Sequence, residues 1–377
     1  MLLYVHFPFC RSKCTYCAFH SGPVDRGQVA AYLTALLQEI DLWGRRLKRP
    51  ALSSVYLGGG TPSLLPLPAL EKVIAGLRSA FTWPDGIEAS IEANPESAGT
   101  AATFRSWLDL GINRLSLGIQ SLDNNVLSLL GRPHSAKEAL GVLDRARKAG
   151  FVNVNADLLW GLPGQKASGW LKQLAVVVSH EPSHLSCYGL TVENNTPLEG
   201  LVRQGHLVLP QDAEQSRMFL TGAEYLEEKG FLQYEISNFA RMGFSCQHNL
   251  GYWHGREYLG LGPAAVSTLE GRRWENPRDL AEYARAVGNG TLDATAEVLT
   301  DAERRQELVM LRLRTTRGLR LARYREVTGR DFLKEHDRLI PLLHRRGLVK
   351  IRDGFFRLTR EGMLVSNSIL SSLLARD

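Results

Sequence analysis

The sequence predicts an α/β fold, in which a partial (β/α)6 barrel of the TIM type precedes an α+β region with a winged-helix-like cap. Between residues 3 and 192, six strand-like segments alternate with amphipathic helical segments at intervals of roughly 30 residues. Each strand-like segment ends in a loop of glycine or polar residues, as strands do at the active face of a barrel. Six repeats are too few to close a barrel of this type, so an open or partial barrel is predicted.

The six strands are predicted in order along the chain, over 3–9, 51–63, 87–97, 112–121, 151–165 and 184–192. Helices with apolar residues at helical spacing are predicted between them, over 28–47, 67–81, 101–110, 136–149 and 168–180. Gly111 and Gly150 are predicted to end two of these helices. Because such crossovers are right-handed, successive strands are expected to pair as a parallel sheet.

The repeat stops after Pro197, and the rest of the chain divides into two further parts. A helix is predicted over 211–230 and is followed by loops rich in glycine and aromatic residues. Beyond it, three amphipathic helices precede a hairpin with Asp353 and Gly354 at its turn, a pattern that predicts a winged-helix-like fold. Such a fold binds DNA in some proteins and is structural in others, so it assigns no role. We therefore predict a barrel core at 1–200, a barrel extension at 201–300 and a winged-helix-like domain at 301–377.

Composition excludes several classes of protein. No apolar run approaches the length that a membrane span needs, and the N-terminus lacks the basic leader and cleavage site of a secretory signal. The cysteine count of five is odd, which argues against a disulfide framework. These features predict a cytoplasmic protein. The net charge of +6 mildly favours anionic ligands but is too dispersed to predict binding of nucleic acid.

Three of the five cysteines, Cys10, Cys14 and Cys17, lie within eight residues and have the spacing Cys-x3-Cys-x2-Cys. This spacing places three thiolates on one loop, where they can hold a single inorganic centre. Three thiolates on a four-iron cluster leave one iron open for a further ligand. The alternatives are a zinc site completed by His6 or His20, and three unrelated cysteines.

The cysteine spacing, with the aromatic Tyr16 directly before the last cysteine, resembles the signature of the radical S-adenosylmethionine (SAM) superfamily. This resemblance implies that the open iron binds the amino and carboxylate groups of SAM. It also implies that an electron from the cluster cleaves the sulfonium to a 5′-deoxyadenosyl radical. The segment "GGGTPS" at 58–63 resembles the glycine-rich turn that contacts the SAM amino group in this superfamily.

Further segments resemble one family, which contains the oxygen-independent coproporphyrinogen III oxidases and the heme chaperones of the HemW type. They occur in the family's order and are "YVHFPFC", "SIEANPES", "NRLSLGIQSLD", "LGRPHS", "ADLLWGLPGQ" and "ENNTPL". The resemblance implies that Tyr16 packs near the adenine and that Thr191 lies at a variable strand-end contact. It further implies that the SAM site is lined by Tyr4, Gly59, Gly60, Thr61, Glu92, Gln120, Arg132 and Asp157.

The chemistry of these residues suits SAM. The carboxylate of Glu92 can pair with a cationic amino or sulfonium group. The guanidinium of Arg132 can bind a carboxylate through two hydrogen bonds. Asp157 can accept a hydrogen bond from a ribose hydroxyl or an amine. Taken singly, each has an ordinary alternative role, such as a helix cap or a surface charge.

A second segment, "CQHNLGYWHGREYLGLGPAAVS" at 246–267, resembles the heme-binding His-Asn-x-x-Tyr-Trp signature of the HemW-type chaperones. An imidazole can ligate heme iron, and aromatic rings supply a flat apolar surface for the macrocycle. Cys246 and His254 compete with the signature histidine as axial ligand, and Arg241 and Arg256 are candidate partners of the propionates. A structural aromatic loop with a hydrogen-bonded histidine is the alternative. The signature residues in this chain are His248, Asn249, Tyr252 and Trp253.

The resemblance implies a heme chaperone that binds a [4Fe-4S] cluster, SAM and heme, and that passes heme to acceptors such as respiratory cytochromes. Phe19 favours this branch, because the oxidases continue their motif with another cysteine at that position. An oxygen-independent coproporphyrinogen III oxidase, a radical SAM methyltransferase and a metal-free interaction protein are the alternatives. An electron donor for the cluster is expected as a partner and nucleic acid is not. Peripheral membrane association and oligomeric state are left open.

Overall fold

The computed structural model describes residues 1–375, in which strands and helices alternate as predicted. The strands are β1 Leu2–Phe7, β2 Phe9–Cys10, β3 Gly22–Pro23, β4 Ser54–Gly59, β5 Glu88–Ala93, β6 Arg114–Gln120, β7 Asn153–Trp160, β8 His184–Gly189, β9 Leu232–Gln233, β10 Asn238–Ala240, β11 Tyr258–Leu261, β12 Val266–Leu269, β13 Arg272–Glu275, β14 Glu297–Val298, β15 Leu319–Arg320, β16 Val349–Arg352 and β17 Phe355–Leu358.

The helices lie between these strands and after them, and a short 3-10 helix at Pro62–Leu64 follows β4. They are α1 Arg26–Arg46, α2 Leu67–Ala80, α3 Ala101–Asp109, α4 Asn124–Leu129, α5 Ala136–Ala149, α6 Ala167–Ser179, α7 Pro197–Arg203, α8 Asp212–Glu228, α9 Gln247–Trp253, α10 Leu280–Asn289, α11 Asp301–Leu313, α12 Leu321–Thr328, α13 Phe332–Glu335, α14 Leu339–Arg345, α15 Arg360–Leu364 and α16 Ser366–Leu374.

One large sheet organises the chain, and its centre is the predicted set of six parallel strands. Its order is β14-β13-β12-β11-β1-β4-β5-β6-β7-β8-β10-β9, and the strands from β11 to β8 are all parallel to one another. Antiparallel strands β12 and β10 flank this parallel set on its two sides. The predicted α/β fold with an open barrel of six repeats is therefore confirmed. The seventh parallel strand, β11, was not predicted.

Helix α5 shows how the sequence determines one of these repeats. The side chain of Ser135 accepts a hydrogen bond from the backbone N–H of Glu138, whose carboxylate accepts one from the N–H of Ser135. This reciprocal capping starts the helix. Four apolar residues at helical spacing, Ala139, Val142, Leu143 and Ala146, are buried against the sheet. The helix ends at Gly150, whose φ of 115° is left-handed and favours glycine, as predicted.

The interior of the barrel is polar. Side chains alternate across each strand, so every second residue of the six parallel strands points inward. Ser116, Asn155 and Ser186, on β6, β7 and β8, are all buried. The Asn155 amide donates to Ser116 Oγ at 2.7 Å and to Ser186 Oγ at 3.0 Å. Such a lining suits a polar ligand, because buried polar groups need hydrogen-bond partners.

The last part of the chain forms a second hydrophobic cluster, to which α11, α12, α14 and the β16–β17 hairpin contribute. Asp353 and Gly354 take left-handed φ values of 52° and 77° at the predicted hairpin turn. The division at residues 200 and 300 stays a proposal, and residues 376 and 377 lie outside the described residues. Among residues 1–375, no helix combines the length and apolar character that spanning a bilayer requires.

Glu39 of α1 connects the barrel by hydrogen bonds to the segment between residues 262 and 283. Its loss is expected to destabilise the fold. It is fully buried and accepts hydrogen bonds from Gly262 N–H at 2.7 Å, Tyr283 Oη at 2.6 Å and Asn276 Nδ2 at 2.8 Å. Replacing Glu39 with Ala leaves Gly262 N–H and the Tyr283 hydroxyl without an acceptor and removes one of the two acceptors of Asn276 Nδ2. We expect the free energy of unfolding in urea to fall by about 3 kcal/mol.

Asp41→Ala on the same helix is the matched control. Asp41 is exposed and, among residues 1–375, forms an ion pair with Arg45 alone, so the expected loss is below about 0.5 kcal/mol. Equal losses in the two variants would show that Glu39 does not hold these segments together.

Candidate functional site

A cavity of about 470 Å³ opens at the carboxyl ends of the parallel strands and reaches down into the polar interior of the barrel. Its size is typical of a small-molecule site. The structure brings all the predicted cluster and SAM residues together in its walls: Tyr4, Cys10, Cys14, Tyr16, Cys17, Gly59, Gly60, Thr61, Glu92, Gln120, Arg132 and Asp157.

The cysteine loop follows β1 and is held against the end of α4. Thr15 fixes it, because its N–H donates to the carbonyl of Leu130 at 3.1 Å and its hydroxyl donates to the carbonyl of Leu129 at 3.0 Å. The three cysteines are free, half-buried thiols on the cavity wall. Arg132 donates to Cys14 Sγ at 3.4 Å, which places a positive charge beside a sulfur that would carry a negative charge as a ligand.

The donor set fits a four-iron cluster better than a zinc site that includes His6. Both ring nitrogens of this buried histidine are already used: Nδ1 lies 3.0 Å from Tyr4 Oη, and Nε2 lies 2.9 Å from the carbonyl oxygen of His20. In a cubane each thiolate binds a different iron, so the three sulfurs need not converge on one point. Within residues 1–375, no three His, Cys, Asp or Glu side chains are grouped as ligands of a single metal ion.

The glycine turn after β4 packs its backbone against the end of β1. Gly60 N–H donates to the carbonyl of Phe7 at 2.6 Å, and Thr61 N–H donates to the carbonyl of Phe9 at 2.8 Å. Gly59 has a left-handed φ of 107°, and a Cβ there would lie 2.5 Å from His6 Nδ1. A side chain at either glycine would therefore push the turn away from β1, so this close approach requires glycine.

Two buried carboxyl groups face each other across the cavity on β5 and β7. Glu92 accepts hydrogen bonds from Tyr56 Oη at 2.8 Å and from Gly59 N–H at 3.1 Å. Burial raises the pKa of Glu92 to about 7, and the charge of Asp157 adds to the rise although the Tyr56 hydrogen bond opposes it. Burial also raises the pKa of Asp157. Neither carboxyl forms an ion pair within the described residues, so both can pair with a cationic ligand.

Arg132, which lies beside β6 between the strands of the two carboxyls, keeps one donor free. Its Nη2 donates to the carbonyl of Gly118 at 2.6 Å, but its buried Nε has no hydrogen-bond partner in the described part of the chain. Gln120, at the irregular end of β6, has a left-handed φ of 66°, which aims its side chain into the cavity. Tyr16 packs on a small apolar cluster around Leu130. Thr191 is exposed and lies outside the cavity wall.

Arg114 is a cavity residue that the sequence analysis missed. It is buried at the start of β6, and its Nε has no hydrogen-bond partner among residues 1–375. The alternation of side chains along β6 could have indicated that Arg114 faces the cavity. It shares the inward face of this strand with Ser116, Gly118 and Gln120, which occupy every second position.

The heme-signature residues lie at the other end of the barrel, where α9 closes the amino ends of β4 and β5. His248 is only 2% exposed, and its ring packs 5.1 Å from that of Tyr56. Its Nδ1 lies 2.8 Å from Ser54 Oγ, and its Nε2 lies 3.2 Å from Tyr252 Oη. Burial lowers the pKa of His248 to about 3. The imidazole is therefore neutral, and both of its nitrogens are occupied in this structure.

The remaining signature and candidate residues are spread around α9. His248, Asn249 and Tyr252 line the floor of the cavity, whereas Trp253 does not. Cys246 is buried with its thiol donating to Glu88 at 3.4 Å, and burial raises the pKa of this thiol to about 12. His254 is half-buried at the end of α9, close to the exposed Arg256. Arg241 is held elsewhere, with its guanidinium over the Phe231 ring.

Comparison with known proteins identifies the family. The model of the radical SAM superfamily matches residues 4–172, and that of the HemN C-terminal domain matches residues 299–365. "Heme chaperone HemW" of Bacillus subtilis is 32% identical over 98% of this chain and 98% of its own length. The chain belongs to the HemW family of radical SAM proteins. Another "Heme chaperone HemW", from Mycobacterium tuberculosis H37Rv, is 35% identical over 99% of this chain and 94% of its own.

A solved structure supports the fold of this HemW-family chain. Coproporphyrinogen III oxidase (HemN) from Escherichia coli superimposes with a TM-score of 0.82, covers 99% of this chain and 89% of its own, and is 24% identical. At that identity the match concerns the fold alone. A radical SAM domain binds a [4Fe-4S] cluster and SAM, and the residues of this chain fit both groups: three thiols on one loop, a glycine turn that excludes side chains, two unpaired carboxyls and the free Nε of Arg132.

Proposed function

We propose that the protein is a radical SAM heme chaperone, which binds a [4Fe-4S] cluster, SAM and heme and passes heme to acceptors such as respiratory cytochromes. One observation carries the proposal: the match to proteins named as heme chaperones extends over 98% or more of the chain and includes both the cysteine loop and α9. The two sets of residues line the mouth and the floor of one cavity, which suits a protein that handles two different ligands.

For the SAM site, we propose that Cys10, Cys14 and Cys17 hold the cluster at the mouth of the cavity. When bound, the cluster supplies an electron to the sulfonium of SAM. Gly59, Gly60, Thr61 and Glu92 would receive the amino group, because the turn offers backbone polar groups and Glu92 offers a negative charge. Arg132 Nε would donate to the carboxylate of SAM, and Asp157 would accept from a ribose hydroxyl. Tyr4, Tyr16 and Gln120 would complete the wall.

The ionisation of Glu92 is expected to control the affinity for SAM. A carboxylate pairs with a cationic ligand better than a neutral carboxyl does, and the pKa of Glu92 in the free site is about 7. Affinity should therefore rise by about tenfold between about pH 6 and about pH 8. Equilibrium dialysis with labelled SAM measures this dependence. Glu92→Gln is the matched control, since it reports any titration of SAM itself, and an identical pH dependence in that variant would contradict the assignment.

The proposal also covers the cellular compartment of the protein and the source of electrons for its cluster. We place the protein in the cytoplasm, where thiols stay reduced, and expect it to receive electrons from a one-electron donor. The heme iron needs an axial ligand, for which the signature histidine His248 is a candidate. To ligate iron through one ring nitrogen, His248 would have to give up one of its two hydrogen bonds, either to Ser54 or to Tyr252.

A heme-transfer assay tests the function. Anaerobically prepared protein loaded with heme is mixed with an apo-cytochrome, and heme in the acceptor is followed by absorbance. We expect net transfer of heme to the cytochrome.

A second assay tests the rival function, in which the same preparation is incubated with coproporphyrinogen III, SAM and a reductant. The oxygen-independent oxidase is the second candidate, because the sequence motifs of this family are shared by the oxidases and the heme chaperones. Phe19, which is 65% exposed, argues against it, because the family resemblance implies a cysteine at this position in the oxidases. Repeated decarboxylation without heme transfer would contradict the chaperone.

A further inference from the structure

Arg114 is a buried cation without a counterion. It is 2% exposed at the start of β6 and lines the cavity. Its guanidinium makes no hydrogen bond and no ion pair with any of residues 1–375, and its Nε is fully enclosed. An unpaired charge in a protein interior is unfavourable, because nothing replaces its lost hydration. The position therefore suits an anionic group of a ligand that enters the cavity.

The groups around Arg114 do not neutralise its charge. Its strongest electrostatic neighbours are Cys246, Glu88, Tyr56 and Tyr234. Burial raises the pKa of the thiol to about 12 and the pKa values of both phenols well above their usual value, so these three groups are neutral near pH 7. The Glu88 carboxylate already accepts hydrogen bonds from two N–H groups at the start of α9, at 2.9 Å each. Glu92 and Asp157 also interact with the charge of Arg114, but neither forms an ion pair among the described residues.

A second polar group without a partner lies beside Arg114. Ser90 of β5 is in register with Arg114 of β6, so the two side chains leave the sheet on the same face. Ser90 is fully buried, and its hydroxyl has no hydrogen-bond partner among residues 1–375. Buried polar groups are nearly always hydrogen-bonded, so two adjacent exceptions mark a place where a ligand can supply the acceptor. A carboxylate can accept from a guanidinium and a hydroxyl together.

Aromatic rings line the cavity next to this pair of residues. Tyr56 stacks on Tyr4, with ring centroids 6.2 Å apart. Tyr56 also packs 5.1 Å from the ring of His248, which lies 4.9 Å from that of Tyr252. All four residues belong to the cavity wall. Flat aromatic surfaces beside a guanidinium match a porphyrin, which is a large apolar ring with carboxylates on one edge.

We propose that Arg114, with Ser90 beside it, binds one propionate carboxylate of the heme in the barrel interior. This inference rests on the proposed function and adds to it a residue that recognises the carboxylate edge of the heme. SAM also carries a carboxylate, but the cluster would hold that group at the carboxyl ends of the strands. The seven residues of β6, from Arg114 to Gln120, separate the two ends by roughly 20 Å. A carboxylate that reaches Arg114 therefore belongs to a second ligand.

Titration with hemin and with hemin dimethyl ester, which lacks free carboxylates, tests this role on the full-length protein with its cluster. The unaltered protein is expected to bind hemin about tenfold more tightly than the ester. Arg114→Gln should weaken hemin about tenfold and leave the ester unchanged, because it removes the partner of a carboxylate. Arg114→Lys keeps the charge and should recover part of the affinity for hemin. Arg105→Gln, at an exposed position of α3, is the matched control and should change neither titration.

Two further measurements on Arg114→Gln separate ligand binding from a structural role. Because the guanidinium makes no hydrogen bond or ion pair within residues 1–375, the variant should unfold at an equal or higher urea concentration and bind labelled SAM with unchanged affinity.

Three results would overturn the inference and leave the chaperone standing. They are a lower urea midpoint with unchanged hemin affinity, weaker SAM binding with unchanged hemin affinity, and equal weakening of hemin and ester. Absence of heme binding by the unaltered protein would instead remove the proposed function.

Discussion

Cys14→Ser is expected to leave the anaerobically prepared protein without its cluster, with iron and sulfide near zero. Two thiolates hold a four-iron cubane poorly. Iron and acid-labile sulfide analysis, together with the absorbance of the purified variant, measures the effect.

Cys187→Ala is the matched control for this loss. Cys187 is buried on β8, and its replacement should leave iron and sulfide at the level of the unaltered protein. Since α9 lies at the opposite end of the strands, Cys14→Ser should still bind heme. Undiminished iron in Cys14→Ser would contradict the assignment of the cysteine ligands.

Gly60→Ala is expected to abolish SAM binding while leaving the rest of the fold intact. A Cβ at this position would overlap the carbonyl of Phe9 and lie 2.8 Å from the carbonyl oxygen of Phe7. The turn would have to move away from β1, and displacements of this size in a ligand site cost about a hundredfold or more in its function. Equilibrium dialysis with labelled SAM, on protein of known iron content, measures the affinity.

Gly169→Ala provides the control for Gly60→Ala. Gly169 lies in α6, and a Cβ there meets no atom within 4 Å, so SAM affinity should be unchanged. If Gly60→Ala bound SAM as tightly as the unaltered protein, the glycine turn would not be part of the SAM site.

Much of the barrel could be predicted because its signals are local. Each of the six strands is a buried segment with a glycine or polar loop at its end, and each helix carries an apolar stripe. The seventh strand, Tyr258–Leu261, was missed because it has four residues in a glycine-rich segment and forms only through pairing with β1. The position of β11 in the sheet depends on contacts with residues that are distant in sequence. The local periodicity of apolar residues carries no information about such contacts.

For the candidate sites as well, the sequence indicated which residues take part but not how the fold arranges them. The motifs named side chains that the structure brings into one cavity, some from within strands, such as Glu92 and Asp157, and others from the loops that follow strands, such as Cys14. They could not predict that Ser54 and Tyr252 occupy both nitrogens of His248, since these partners come from β4 and from the next turn of α9.

The two candidate sites lie at opposite ends of the same strands. The cysteine loop follows the carboxyl end of β1, whereas α9 contacts Ser54 and Glu88, the first residues of β4 and β5. Tyr56 contacts residues of both sites, since its hydroxyl donates to Glu92 and its ring packs on that of His248. A protein in which the state of the cluster controls heme binding would transmit that control through the barrel interior, where Arg114 and Asn155 lie between the two ends.

Electron paramagnetic resonance of the reduced, full-length protein, with and without SAM, shows whether the three cysteines hold a cluster with one open iron. We expect about four iron and about four sulfide per chain, and a cluster signal that changes when SAM is added, because three cysteines leave one iron open. Bound zinc without sulfide, or a cluster signal that SAM leaves unchanged, would contradict this expectation.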